Sequence, residues 1–178
     1  MEEMNAIKML LDEHVTIMRM IGLLENLAKN IKKFEKTNLD FYKTVVDFFK
    51  TYADRCHHGK EEKIFFNKLK SKPLNENEKK ILYELIEEHK AARKFVSEID
   101  KLKESKDFIK LSEVINNLVN LYKMHINKEN TMFFYPTFKY FSEDEKKALL
   151  NEFMEEDRKV INEKYQKIVF QLSDYLKN

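Results

Sequence analysis

Glycine and proline are almost missing from this chain of 178 residues, which has two of each; tryptophan is absent and cysteine occurs once. A sheet-rich fold needs turn residues at short intervals, so these scarcities argue against one. The lone Cys56 has no partner for an internal disulfide, which fits a reducing compartment. Also missing is any run of the roughly 18 to 20 apolar residues that would cross a bilayer. The N-terminus opens Met-Glu-Glu and carries a charge every few residues, unlike a secretory signal. Neither sign of charge prevails: 33 Lys and Arg stand against 31 Asp and Glu, a formal net charge of +2, and the signs are interleaved. No basic footprint for nucleic acid results. The expectation is a cytoplasmic protein, monomeric or weakly homo-oligomeric, with neither membrane nor nucleic-acid partners.

What is abundant forms helices. Glu, Lys, Leu, Ile, Met and Asn dominate, and 43% hydrophobic content over this length suits one core and one domain, 1–178. Apolar spacing near 3.6 residues predicts an all-α fold: an up-down-up-down four-helix bundle over about 3–35, 40–70, 76–104 and 107–136, with an additional C-terminal helix over about 142–176. Asn38 or Asp40 would cap the second helix and Asn75 or Asn77 the third, with Pro73 interrupting between them. The fourth begins near Asp107 and should end or kink close to Pro136. Ser142 with Glu145 makes a capping box for the fifth. That helix carries no histidine, and Leu149, Leu150, Phe153, Val160, Ile161, Ile168, Val169 and Leu172 suit packing on the outside of a bundle.

An internal echo is more informative than any single helix. His57-His-Gly-Lys-Glu-Glu-Lys-Ile-Phe-Phe66 aligns without gaps on His125-Ile-Asn-Lys-Glu-Asn-Thr-Met-Phe-Phe134, and Leu10-Leu-Asp-Glu-His14 echoes Leu85-Ile-Glu-Glu-His89. The order is lone His, His-x3-Glu, lone His, His-x3-Glu, as two related helical hairpins would give. Residues four apart on a helix face one way, so His57 with Glu61 and His125 with Glu129 each form a two-ligand claw. His125 and Glu129 lie on the stripe Leu111, Ile115, Leu118, Tyr122, His125, Glu129, Met132, Pro136; His14 and His89 likewise have apolar neighbours at three and four residues. His57 shares its face with Phe49, Ala53, Glu61 and Ile64, whereas His58 has Asp54, Arg55 and Glu62 beside it. His57 and Glu61 are therefore preferred, leaving His58 or Glu62 as an additional or outer ligand. Gly59 is read as permitting close helix packing.

Two carboxylates buried without a cation would each cost several kcal/mol or take up a proton. His14, His57, Glu61, His89, His125 and Glu129, converging on a cation, avoid that penalty. Four imidazoles, two carboxylates and no thiolate exceed the needs of one tetrahedral zinc and suit two bridged iron or manganese ions, iron first, with zinc a substitute. About eight of roughly twelve coordination positions would be filled, leaving room for an oxo or hydroxo bridge and an exogenous ligand.

These residues resemble the hemerythrin-like, or HHE cation-binding, family across most of the chain: Asp-Glu-His14, His57-His-Gly-Lys-Glu-Glu-Lys-Ile-Phe-Phe66, Glu-Glu-His89-Lys-Ala-Ala-Arg93 and His125-Ile-Asn-Lys-Glu129-Asn-Thr-Met-Phe-Phe-Tyr-Pro. The resemblance implies a non-haem di-iron centre that binds or reacts with dioxygen, nitric oxide or peroxide. If the protein is an enzyme, it is then an oxidoreductase served by a redox partner protein; the alternative is an iron store or donor, including one for iron-sulfur cluster repair. The third helix offers only His89 and the fourth offers Glu129, closer to sensor and repair-type members than to oxygen carriers. Tyr52, Cys56 and Tyr122 lie near the claws and are read as core, as are Met9, Met18, Met20, Met124, Met132, Met154 and the phenylalanine pairs 48/49, 65/66 and 133/134.

Overall fold

The computed structural model describes residues 5–29, 37–105, 107–159 and 162–175, and every regular element among them is helical. Asn5 accepts the amide proton of Lys8 at 3.0 Å and opens α1 (Ala6–Ala28). The ends expected for this helix near residues 3 and 35 lie outside the described residues. The second rod starts at Asn38, not Asp40, as α2 (Leu39–Asp47). It continues through two π-helical stretches, π1 (Phe48–His58) and π2 (Glu61–Phe65), and closes with α3 (Phe66–Leu69) ahead of Pro73. Asn75 and Glu78 form a reciprocal capping box at the start of α4 (Glu76–Leu102).

Asp107 caps α5 (Phe108–Lys128), which passes through π3 (Glu129–Phe133) into α6 (Phe134–Phe138). The fourth rod ends at Phe138, two residues past Pro136. Its irregularity falls earlier, at Phe133 (φ −121°, ψ −57°), which puts Pro136 in the first turn of α6, where a missing N–H costs no helical bond. Ser142 and Glu145 cap each other as expected and begin α7 (Glu143–Lys159). The single helix expected over 142–176 is described as two, α7 and α8 (Asn162–Tyr175), with Val160 and Ile161 outside the described residues.

Long-range pairs show neighbouring rods running antiparallel. Ser112 near the start of α5 donates to the Ala28 carbonyl at the end of α1. Lys50 meets Asp100, Arg93 meets Asp54 and Glu88 meets His125. The rods close a ring, with α7 and α8 packed outside it against α1 and the second rod. Two apolar clusters fill the ring: one around Ile17, Phe49, Leu118 and Tyr122, the other around Leu10, Phe65, Phe134 and Phe153. The histidines and glutamates form a polar layer between them.

The π turns correct several expectations. A π turn takes more residues than an α turn, so the inward stripe drifts. After Glu129 the next buried positions are Phe133, Phe134 and Thr137, while Met132 is 51% exposed. Met124 and Met154 also face solvent, and only Met20 of the methionines expected in the core is fully buried. The six paired phenylalanines are all buried. At Gly59 an added Cβ would meet only the Asp54 carbonyl, at 3.8 Å, so no close packing depends on that glycine.

Candidate metal centre

His14, on the buried face of α1 between Leu10 and Ile17, and His89, between Leu85 and Ala92 on α4, enter the layer from regular α-helix. The other contributors come from π turns or their edges: His57 and His58 end π1, Glu61 begins π2, His125 is in the last turn of α5 and Glu129 begins π3. All six preferred residues are at most 2% exposed. The structure brings them together. It also adds His58, 1% exposed, whose Nδ1 lies 3.5 Å from Asp54 Oδ1. The smaller angular step of the π turn lets adjacent residues share the inner face.

Two groups of donor atoms result: His14, His57, Glu61 and Glu129, and His58, Glu61, His89 and His125. Glu61 belongs to both, its Oε1 lying 3.4 Å from His57 Nε2 and its Oε2 3.3 Å from His89 Nε2. Glu129 Oε2 is 3.2 Å from His14 Nε2 and 3.3 Å from His125 Nε2. The Nε2 atoms of His14 and His57 are 2.9 Å apart, and those of His89 and His125 are 3.1 Å apart. Glu62 lies outside the centre, where its carboxylate accepts from His89 Nδ1 at 2.7 Å and from Arg93.

A ring of acceptors fixes the imidazoles. Nδ1–H of His57 donates to Glu13 (2.8 Å), that of His125 to Glu88 (2.9 Å), that of His89 to Glu62 (2.7 Å) and that of His14 to Asn130 Oδ1 (2.8 Å). Each bond leaves the Nε2 lone pair turned inward, the tautomer a metal requires. Sequence reasoning overlooked Glu13, Glu88 and Asn130, yet the echo carries them. Glu13-His14 aligns with Glu88-His89, and Glu62 aligns with Asn130. Lys60 and Lys128, also aligned, hold Glu13 and Glu88 respectively. The halves differ where His58 stands opposite Ile126, which gives one group an extra imidazole.

With every Nδ1 of these four rings committed, neutral His14 and His57 face each other lone pair to lone pair. A positive charge between them resolves the conflict. Burial works against protonating His14 and His89, but Glu129 raises the pKa of His14, and Glu61 and Glu62 raise that of His89 to about 9. Burial pushes His57 and His58 well below the usual imidazole range, Glu61 opposing it at His57 and His89 adding to it at both, so both are neutral and able to ligate. Burial disfavours a charged Glu129, yet His125 and His14 keep it ionised. The decisive fit test is that all four oxygens of Glu61 and Glu129, and both nitrogens of His58, are buried without a hydrogen-bond partner. Oxygen-rich, imidazole-rich and lacking thiolate, this set suits iron or manganese and accepts zinc.

A cavity of about 290 Å³ reaches His58 and is lined by Phe49, Ala92, Val96 and Tyr122 together with the charged Lys50, Asp54 and Arg93. Tyr122 stacks on His58 at 6.1 Å and Cys56 faces Asp157, away from the centre. Among the described residues no helix is long and apolar enough to cross a membrane. A family profile described as the hemerythrin HHE cation binding domain matches residues 5–136 and, overlapping it from the second hairpin onward, residues 80–174. Comparisons with curated proteins and with solved structures give no match.

Proposed function

The chain belongs to the hemerythrin HHE cation-binding family, whose members bind metal, typically iron, and from that premise we propose that it is a non-haem di-iron protein acting on dioxygen, nitric oxide or peroxide. His14, His57 and Glu129 would hold one ion and His58, His89 and His125 the other, with Glu61 common to both groups and Glu129 also 3.3 Å from His125 Nε2. The observation that carries this reading is the pair of fully buried carboxylates with no hydrogen-bond partner, set among five imidazoles.

Bound iron would supply redox chemistry toward a small oxidant. The protein's own residues do the rest. Glu13, Glu88, Glu62 and Asn130 hold the rings in the ligating tautomer. Phe66 stacks on His89 and Phe134 on His14, so aromatic faces seal one side of the layer from water. Tyr122 covers His58 from the other side. Such walls favour a small, weakly hydrated ligand over a polar organic substrate. Anaerobic loading with ferrous iron, followed by dioxygen, nitric oxide or peroxide under visible spectroscopy, tests the proposal. A reversible spectral species or sustained oxidant consumption is the expected result. Iron that a weak chelator removes at once, with no response to oxidant, would favour iron storage or donation, and a chain that takes up no iron would overturn both.

A further inference from the structure

Lys60 is fully buried, and its ammonium lies against two carboxylates: Glu13 Oε1 from α1 and Asp157 Oδ1 from α7. Glu13 turns its other oxygen to His57 Nδ1 at 2.8 Å, and Asp157 also accepts from the Cys56 thiol at 3.5 Å. An unbroken chain, Asp157–Lys60–Glu13–His57, therefore runs from the C-terminal helix to a ring at the centre. The second half has the same lysine and glutamate but ends differently. Lys128 holds Glu88 Oε1 at 2.6 Å and Glu84 at 2.8 Å, is partly exposed and, among the described residues, pairs with none from α7.

We propose that Asp157, Lys60 and Glu13 are positioning residues that fix the orientation and tautomer of His57, and so make the metal position of His14 and His57 depend on the docking of α7. A carboxylate with one oxygen clamped by an ammonium has a set direction for the other, and that direction selects Nδ1–H on His57 and leaves Nε2 for the metal. Asp157 clamps the ammonium from the far side. Leu149 and Phe153, fully buried on the same helix, seat α7, so the clamp is in place only when the helix is. The C-terminal helix is thereby part of the site's tuning, and the position of His125 is independent of it. This inference rests on the metal-centre reading above.

The test uses the full chain. Ring 15N spectra of the metal-free protein report the tautomer of each histidine, and titration with cobaltous ion then reports the affinity of each position. Wild type should show His57 as the Nδ1–H tautomer and take up two ions. Asp157→Asn, at a partly exposed carboxylate, should release His57 into mixed tautomers and weaken one ion about ten- to a hundredfold while sparing the other. Lys60→Arg should keep the wild-type pattern, and Lys128→Met should weaken the opposite position. Wild-type tautomers and affinities in Asp157→Asn would overturn the coupling to α7, and the same result in Lys60→Met, which should lose the pattern, would overturn the clamp itself. Failure of the wild type to bind cobaltous ion would sink the metal-centre reading instead, and the metal-free spectra would still judge the clamp.

Discussion

At the scale of single residues, the difference between His58 and Glu62 is the most exposed part of the account. Both lay on the less apolar side in a 3.6-residue reading, yet His58 is buried with neither nitrogen hydrogen-bonded and its Nδ1 3.5 Å from Asp54, while Glu62 reaches only the outer edge of His89. Replacing His58 by Ala should therefore remove or strongly weaken one bound ion, measured as metal equivalents per chain. Glu62→Gln should keep both and shift only affinity, by about tenfold. Proton competition gives a second prediction. In the metal-free protein His89 titrates near pH 9 because Glu61 and Glu62 favour its charged form against burial. A raised imidazole pKa stabilises the metal-free fold below about pH 6.5, and that contribution is lost as pH rises through 9. A metal must displace this proton, so the gap in melting temperature between loaded and metal-free protein should widen from pH 6.5 to 9. A gap that narrows over that range would contradict the assignment of His89.

At the scale of elements, the caps, the interruption at Pro73 and the four rods were legible because asparagine, aspartate and proline act locally. The convergence of the six preferred residues on one candidate site was legible because both claws and both lone histidines repeat in order. The π turns were not, because 3.6-residue templates assume their own period. A trace is nonetheless present: in the second rod the buried doublets 48/49 and 52/53 are four apart, and every residue from Cys56 to Glu61 is then buried, a spacing that an α stripe does not hold. That spacing is what places His58 beside His57. Gly59 sits at the junction of π1 and π2 with helical dihedrals (φ −60°, ψ −43°) and room for a methyl group. Gly59→Ala should stabilise the protein by about 0.5–1 kcal/mol in chemical denaturation, through lost freedom of the unfolded chain. Destabilisation would mean that the turn needs the glycine after all.

At the scale of the whole molecule, a charged layer lies between two apolar clusters and is covered on one side by α7. Hydrophobic burial holds the rods, while the layer opposes folding unless a cation satisfies it. Loading at a hundredfold excess over the dissociation constant should add about 2.7 kcal/mol per independent site, seen as a rise in melting temperature that a strong chelator reverses. Diffraction from crystals grown with ferrous iron, recorded at the iron absorption edge, tests the central claim most directly. The account predicts two anomalous peaks flanking Glu61 and Glu129, one against His14 and His57 and the other against His58, His89 and His125. Peaks confined to surface carboxylates, or an iron-free layer with its imidazoles bonded to one another, would contradict it.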